Sequence, residues 1–536
     1  MPLMEKYESE VSSQPKKEVT ESHFDDVTSQ LSQNRWIRWI YDLDKFGVET
    51  RGIERVEPED RSQKPLWYQF IHVMGVWFAS NIGLTSMSSY FLPTLMFDLN
   101  LRDSLVPGLI GMWIGCLVPA YCSTMGPQSG CRQMVGARFL FGEWGVKFVS
   151  LIAIVGGVGW SVVNCVVGGQ VLRAVGDENV PLAAGIIVIA VVSLIVAVFG
   201  IRVLMKFQTA LSIPCVVAVI LYYVVVCKQL SWISVTNATI AETNPNGSSF
   251  TTRGQWLSFF AISYSVTGTW GSGASDFYIL FPEDTPKIAT FFVTFLSIGM
   301  PTTLVAVVGS LSGAIAYSYK PWGDAYENVG VGGIIDAAFS PWGRFGKFCS
   351  VLLYISLICN NIMNTYSVAF EFQLIDNRLR YVPRWCWAVL VMAVYLVLSL
   401  VGRNVFSDII SNFLPMLGYW VSMYIVLLLE ENLLFRNRSQ KHLHSAEFVD
   451  PGSEKYLYNW TAWNRPREIT WGIACCLAFC CGVIGAVAGM NQVYWVGWIA
   501  RKIGDHGGDI GVFLSMGFTG VVYPPLRYLE LRKFRK

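Results

Sequence analysis

Residues 80–89 read SNIGLTSMSS, and residues 267–276 read TGTWGSGASD. Both stretches place Gly, Ser and Thr in segments that are otherwise apolar. Irregular backbone at membrane depth survives only where protein or water satisfies its amide groups, and interrupted helices at matching places in two halves of a chain mark a transporter's binding site. The two stretches therefore predict a pair of broken membrane helices. The alternative is that Gly and Ser only let continuous helices pack closely.

The composition of the whole chain is that of a membrane protein. Of its 536 residues, 53% are apolar and 15% are charged, whereas about 25% of residues are charged in ordinary soluble domains. Of the 78 charged residues, 42 lie in residues 1–66, 430–468 and 527–536. Because a membrane-spanning helix needs about 20 apolar residues, the rest of the chain has room for a dozen crossings. The chain is therefore predicted to be an all-α polytopic membrane protein.

Twelve apolar segments are predicted to span the membrane. They are residues 68–91, 104–123, 146–171, 182–201, 207–227, 256–276, 288–317, 346–372, 385–401, 405–429, 469–489 and 509–526. Lys and Arg number 24 in or beside residues 51–66, the C-terminal tail and the connections on the side of the N-terminus, and 10 in or beside the connections on the other side. Since these residues are enriched on the cytosolic side, both termini are predicted to be cytosolic. The broken stretches fall in spans one and six.

The spans divide the chain into five parts. These are a largely disordered cytosolic tail at 1–66, a transport core of spans one to ten at 67–429, a cytosolic loop at 430–468, spans eleven and twelve at 469–526, and a basic cytosolic tail at 527–536. A Gly-rich loop from Asn328 to Gly333 follows span seven. It is expected either to cap the outer vestibule or to be a plain surface loop.

Several function classes are excluded by the sequence. The net charge of +2 gives no indication of a nucleic-acid partner, because no basic face remains outside the short cytosolic segments. The chain has no G-x-x-x-x-G-K-[ST] loop for ATP-driven transport and no H-E-x-x-H or G-x-S-x-G motif of a hydrolase. The 13 cysteines lie almost wholly in apolar runs, without the paired spacing of a metal site. We therefore expect a transporter and not an enzyme, with no cofactor and no metal.

Polar and aromatic side chains in the middle of the spans are candidates for binding a substrate. Span three places an indole and an amide four residues apart, on one helical face. Amides buried in hydrocarbon need partners in solute, water or another helix, and hydrogen bonding between helices is the alternative for any single one. Indole faces stack on flat rings and amides bind ring edges, which favours an uncharged planar heterocycle. The candidate residues are Trp160, Asn164, Trp270, Asn360, Asn361, Asn364, Ser80 and Asn81.

Ionisable side chains inside the spans are few, and each is a candidate for proton coupling. Asp276 ends the second broken stretch, and His72 lies near the start of span one. The alternatives are a helix-end carboxylate that faces water and an interfacial histidine. Four further carboxylates at span ends are expected to be solvated, namely Glu371, Asp408, Glu430 and Glu431.

Seven segments of the chain resemble the fungal purine-cytosine permeases of the nucleobase cation symporter-1 family. They are FGVETRGI (46–53), MGPQSGCRQMV (125–135), GWSVVNCVVGGQ (159–170), DFYILFPEDTP (276–286), NNIMNTYS (360–367), NFLPMLGYW (412–420) and VVYPPLRYLELRKF (521–534). They extend over nearly all of the chain after residue 45. Within the family, they particularly resemble transporters of pyridoxine, a form of vitamin B6.

The resemblance implies twelve helices, with ten in a five-plus-five inverted repeat of the leucine-transporter type and two more at the C-terminus. It implies proton-coupled import of pyridoxine and related vitamin B6 forms across the plasma membrane, with a proton-coupled purine-cytosine permease as the alternative. In the permeases, the positions of Trp160, Asn164, Trp270 and Asn364 are associated with substrate recognition. Where the permeases usually read Asn-Asn-Ile-Pro-Asn, this chain has Met363. The absence of that proline changes the backbone near the amides and favours pyridoxine.

Overall fold

Helices form most of the structure, a computed structural model that describes residues 52–243, 249–376, 378–404, 406–445 and 457–536. The α-helices of these residues are α1 (Leu66–Asn81), α2 (Leu84–Ser89), α3 (Leu92–Phe97), α4 (Leu101–Ser123), α5 (Met125–Ser129), α6 (Gln133–Gly136), α7 (Arg138–Val175), α8 (Leu182–Val198), α9 (Ile201–Val226), α10 (Ser231–Thr243), α11 (Ser249–Gly268), α12 (Lys287–Ser318), α13 (Lys320–Val329), α14 (Val331–Phe339), α15 (Gly343–Ile375), α16 (Arg384–Gly402), α17 (Phe406–Glu430), α18 (Ile473–Gly489) and α19 (Gly511–Phe534). An antiparallel pair of short strands, β1 (Asn491–Gln492) and β2 (Trp495–Val496), lies between α18 and α19.

Each of the twelve predicted spans coincides with helix. Among the described residues, eight helical stretches are long and apolar enough to cross a membrane. Two shorter apolar helices, α8 and α18, match predicted spans four and eleven. The helices α11 and α19 match spans six and twelve. This arrangement agrees with the predicted all-α membrane architecture.

The first predicted break is present between α1 and α2. The two helices are separated by Ile82 and Gly83. Residue 83 must be small because a Cβ atom there would lie 2.0 Å from the Ser356 Oγ of α15. That oxygen accepts a hydrogen bond from the backbone amide of Leu84 at 3.1 Å, and this amide is one of those that have no partner within their own helix at a helix start. Protein therefore satisfies the interrupted backbone.

The second predicted break follows α11. The chain leaves the α-helix at Gly268 and continues as two 3₁₀ turns, Thr269–Ser272 and Ala274–Phe277. The hydroxyl of Ser275 donates to the Gln133 Oε1 at 2.7 Å. The Oδ1 of Asp276 accepts from the backbone amide of Gln133 at 2.8 Å. The start of α6 therefore holds the second interrupted segment in place.

The helices that carry candidate side chains meet at the centre of the fold. The two longest, α7 and α15, pack against each other. The short helix α2 contacts both of them, and α17 packs against α7 and α11. As a result, both breaks and the polar positions of α7 and α15 face a common region.

Two sequence-based expectations about connections and span ends are wrong. The segment from Asn328 to Gly333 is not a loop, because α13 and α14 are separated only by Gly330, whose φ is +85°. The side chains of Glu371 and Glu431 are not solvated, because they are 5% and 0% exposed. Glu371 is buried because α15 continues to Ile375, and Glu431 is buried in an ion-pair cluster.

The predicted tails are only partly comparable with the structure. Residues 1–51 of the expected disordered segment lie outside the described residues. At the other end, α19 continues to Phe534, so most of the expected basic tail is helical.

Candidate functional site

A cavity lies between the two broken stretches. It holds about 40 Å³ of space, which is room for a few water molecules. A substituted six-membered ring needs more space, so binding one requires lining side chains to move. The polar, aromatic and sulfur-containing lining residues are Thr85, Ser86, Trp160, Thr269, Trp270, Ser272, Phe277, Asn360, Met363, Asn364, Ser367, Glu371 and Trp420.

Carboxamides from two helices form a connected cluster at this cavity. The Oδ1 of Asn360 accepts from the Nδ2 of Asn164 at 2.9 Å and from the Nδ2 of Asn364 at 3.2 Å. The Nδ2 of Asn360 donates to the backbone carbonyl of Ser80 at 2.9 Å, at the end of α1. The Oδ1 of Asn164 accepts from the hydroxyl of Thr85 at 2.6 Å. The cluster therefore joins α7, α15 and both halves of the first broken helix.

Two indoles are also fixed by hydrogen bonds. The Nε1 of Trp160 donates to the Thr269 hydroxyl at 3.1 Å. The Nε1 of Trp270 donates to the Asn81 Oδ1 at 3.0 Å. A third indole, that of Trp77, lies edge-on to Trp270 with 5.5 Å between the ring centroids. The N–H groups of Trp160 and Trp270 are thus occupied by protein, so it is the faces of these two rings that can serve for stacking.

The structure brings most of the predicted binding residues together, some in the cavity wall and others directly behind it. Four of them line the cavity, namely Trp160, Trp270, Asn360 and Asn364. Three others lie directly behind these and hydrogen-bond to them, namely Ser80, Asn81 and Asn164. The eighth, Asn361, is turned away, and its Nδ2 donates to the Tyr395 hydroxyl of α16 at 3.2 Å.

The two predicted proton-coupling residues lie outside the cavity lining. The side chain of Asp276 is 4% exposed and is bonded to the start of α6. His72 lines a second cavity of about 590 Å³, where its Nδ1 lies 3.3 Å from the Thr209 hydroxyl. Basic side chains share this second cavity, among them Lys64, Arg202 and Lys206. The only residue that lines both cavities, among those described, is Phe277.

Sequence reasoning missed two functional candidates in the lining. Glu371 contributes a carboxyl group whose Oε2 has no hydrogen-bond partner among the described residues. Trp420 of α17 contributes a third indole to the wall, and its Nε1 likewise has no partner there. Helical spacing could have indicated Glu371, because it follows Asn364 by seven residues, or two turns, and so lies on the same face of the helix.

Known proteins that are similar to this chain are permeases and transporters. Residues 56–497 match a family described as permeases for cytosine/purines, uracil, thiamine and allantoin. The vitamin B6 transporter TPN1 of Saccharomyces cerevisiae is 47% identical over 523 residues, with 92% of this chain and 89% of that protein covered. The purine-cytosine permease FCY21 of the same yeast is 29% identical, with 96% of this chain and 93% of that protein covered.

Solved structures show the same fold. Mhp1, a nucleobase-cation-symport-1 family transporter in a closed conformation with bromovinylhydantoin bound, superposes with a TM-score of 0.61 at 13% identity. That superposition covers 91% of this chain and 96% of Mhp1. The inward-facing conformation of Mhp1 gives a TM-score of 0.59. The chain therefore belongs to the permease family for cytosine/purines, uracil, thiamine and allantoin, whose members are membrane transporters and not enzymes.

Proposed function

We propose that this protein imports pyridoxine and related vitamin B6 forms across the plasma membrane, coupled to protons. The observation that carries the proposal is the central cavity, where Trp160 and Trp270 lie beside Asn360 and Asn364. Pyridoxine is a flat pyridine ring with hydroxyl groups along its edge. Indole faces suit the ring, and carboxamides suit the hydroxyl groups.

The most similar relatives quoted above favour vitamin B6 over nucleobases. At 47% identity, the named vitamin B6 transporter is much closer to this chain than the purine-cytosine permease at 29%. The side chain of Met363 supports the same choice. It lines the cavity directly beside the amide cluster, at the position where the resemblance to purine-cytosine permeases leads us to expect proline.

The proposed transport cycle follows from the two broken helices. Substrate and proton bind from outside at the central cavity, the broken helices move against the helices around them, and both are released to the cytosol. We place the transport core at residues 67–429 and spans eleven and twelve at 469–526. Both termini and residues 430–468 are placed in the cytosol, on the basis of the Lys and Arg distribution. Asp276 and His72 remain candidates for the proton pathway.

Uptake by cells that lack their own pyridoxine transport tests the proposal. Cells that express the protein should accumulate labelled pyridoxine above its external concentration, and a protonophore should abolish this accumulation. Unlabelled pyridoxal and pyridoxamine should compete for uptake. Binding without accumulation would contradict transport and indicate a receptor.

Transport of purines and cytosine is the second candidate function. It is favoured by relatives that are named purine-cytosine permeases and are 28–29% identical to this chain. It predicts strong inhibition of pyridoxine uptake by cytosine, adenine or hypoxanthine. If cytosine inhibits strongly while pyridoxal and pyridoxamine do not, this second candidate replaces the first.

A further inference from the structure

One carboxyl group faces the central cavity. Among the described residues that line it, Glu371 is the only one with an ionisable acid or base side chain. The remaining polar lining consists of amides, hydroxyls and indoles, such as Asn364, Ser367 and Trp420. The charge state of the binding site is therefore set by this one side chain and by whatever binds there.

The carboxyl group of Glu371 is buried and incompletely bonded. The residue is 5% exposed, and its Oε2 has no hydrogen-bond partner among the described residues. No salt bridge to Glu371 is found in that part of the chain. A buried carboxylate is costly unless a proton or a cation accompanies it. Glu371 therefore requires a partner that the cavity walls do not supply.

Charged groups on three neighbouring elements lie near residues next to this position, and none of them lines the cavity. Asp276 comes from the second broken stretch. Its Oδ2 lies 3.9 Å from where a Cβ of Gly273 would be, and the Ser367 hydroxyl lies 3.2 Å from the same point. The guanidinium carbon of Arg132, just before α6, lies 3.2 Å from the ring centroid of Phe370. The guanidinium of Arg384, at the start of α16, lies 5.2 Å from that centroid.

The position of Glu371 relative to the amides matches the shape of a nitrogen heterocycle. Asn364 and Glu371 are two turns apart on α15, so their Cα atoms are separated by about 10 Å along the helix axis. A ring that lies between them can offer hydroxyl groups to the amides at one edge and a ring nitrogen to the carboxyl group at the other. Pyridoxine carries its nitrogen on the side of the ring opposite its 4-hydroxymethyl group.

We propose that Glu371 is the residue that recognises the ring nitrogen of the substrate, with one proton held between its Oε2 and that nitrogen. This inference rests on the proposed function. The proton comes from the external solution, is bonded to one of the two atoms and hydrogen-bonded to the other, and leaves with the ring into the cytosol. Glu371 returns to its starting protonation state, and no other bond changes. The substrate class is therefore a basic nitrogen heterocycle.

A cycle that varies the protein and the ligand together tests this pairing. The ligands are pyridoxine and its carbocyclic analogue, in which a ring C–H replaces the nitrogen. The proteins are the wild type, Glu371→Gln, and the control Glu430→Gln. Glu430 is a half-buried carboxyl group at the end of α17 that does not line the cavity, and its Oε2 likewise has no partner among the described residues. Inhibition of labelled pyridoxine uptake by each unlabelled ligand gives the apparent affinities.

In the wild type and in Glu430→Gln, we expect the analogue to bind at least tenfold more weakly than pyridoxine. In Glu371→Gln, the apparent affinity for pyridoxine should fall at least tenfold, while that for the analogue should change less than twofold. The difference in affinity between the two ligands should therefore disappear. An equal loss of apparent affinity for both ligands would overturn the inference, because it would show that Glu371 has a structural role and does not contact the ring nitrogen.

The wild type decides the question alone if Glu371→Gln does not reach the membrane. An analogue that competes as well as pyridoxine in the wild type would overturn the inference, since the nitrogen would then have no partner. Such a result would leave the proposed function intact, because that function fails only if pyridoxine itself is not taken up.

Discussion

At the scale of single residues, Asn360 organises the site. Its carboxamide accepts hydrogen bonds from Asn164 and Asn364 and donates to the carbonyl of Ser80. The sequence predicts that these amides bind substrate, because amides buried in apolar helices need hydrogen-bond partners. It could not predict that Asn361 points to Tyr395 instead, because the direction of a side chain depends on how far α15 is rotated against its neighbours.

The contrast between two asparagines in one motif gives a prediction. Asn364→Ala removes a cavity amide and should lower the apparent affinity for substrate about tenfold, since losing a polar partner costs roughly 1–3 kcal/mol. Asn361→Ala should lower the amount of folded protein but leave the KM unchanged, because Asn361 faces α16. Uptake kinetics normalised to surface protein measure both effects. Equal KM values for the two variants would contradict the assignment.

A second prediction concerns Asn164, which touches the cavity only through other residues. Asn164→Ala removes the donor that orients the Asn360 Oδ1 and the acceptor for Thr85. We therefore expect a higher KM and little change in the amount of protein at the surface. The double variant Asn164→Ala with Asn360→Ala should have a KM no higher than that of Asn360→Ala alone, because the effects of substitutions within one hydrogen-bond network are not additive. Additive losses would show that the two amides act independently.

A histidine far from the cavity gives a prediction about pH. Burial, aided by neighbouring Arg436, lowers the pKa of His444 to about 4 from its usual 6.5. Between these values the unfolded chain binds a proton that the folded protein does not, so stability falls as the pH drops from 6.5 to 4. The shift corresponds to about 3 kcal/mol at most.

Thermal unfolding of the purified protein at pH 7 and pH 5 measures this contribution. His444→Gln should reduce the loss of Tm between the two pH values. His442 is an exposed histidine two residues earlier and serves as the control. His442→Gln should lose as much Tm between the two pH values as the wild type does. An unchanged pH dependence in His444→Gln would contradict the prediction.

At the scale of elements, the broken helices were the most predictable feature. Polar residues in an apolar segment indicated where the helix stops, and both breaks lie within the predicted stretches. The segment around Gly330 was misassigned for a related reason. Its glycines were taken as a loop, but Gly330 alone makes the turn, and packing holds α13 and α14 in helical form on either side. Short helices of this kind depend on tertiary contacts that local sequence does not encode.

The fit between the first break and α15 gives a prediction at this scale. Gly83→Ala places a methyl group 2.0 Å from the Ser356 Oγ and 2.2 Å from its Cβ. Overpacking of this kind costs about 1–3 kcal/mol. We expect less protein at the membrane and a lower Tm. Ser356→Gly removes both clashing atoms, so Gly83→Ala combined with Ser356→Gly should be more stable than Gly83→Ala alone. A double variant that is no better would show that the damage arises in the backbone of residue 83.

At the scale of the whole molecule, a buried ion cluster ties the C-terminal helices to the end of α17. Glu431 is completely buried and accepts from Arg436 Nε at 2.7 Å, from Arg527 Nη2 at 2.9 Å and from the Tyr523 hydroxyl at 2.7 Å. The sequence could not predict this burial, because Glu431 and Arg527 are 96 residues apart and their contact depends on the packing of α19 against α17.

Removing the charge of Glu431 should therefore destabilise the protein strongly. Glu431→Gln leaves the buried guanidinium of Arg436 without its counter-ion and leaves Arg527 paired only with Glu530, at 3.3 Å. Breaking a buried ion pair in this way costs about 3–5 kcal/mol. The neighbouring Glu430→Gln should change the Tm much less, because Glu430 is only half-buried and has no ion pair in the described residues. Equal Tm losses in the two variants would show that the cluster is not the cause.

Among the described residues, the phenyl ring of Phe277 is the one side chain shared by the walls of the two cavities. Single side chains rotate far faster than helices move, so whatever holds this ring in place bears on whether the two cavities stay separate. The fully buried Trp77 lies edge-on against it, with 5.3 Å between the ring centroids. Phe277 and Trp77 thus form an aromatic pair where the two cavities meet, and we expect a smaller side chain at either position to join the cavities and let water or ions leak through without substrate.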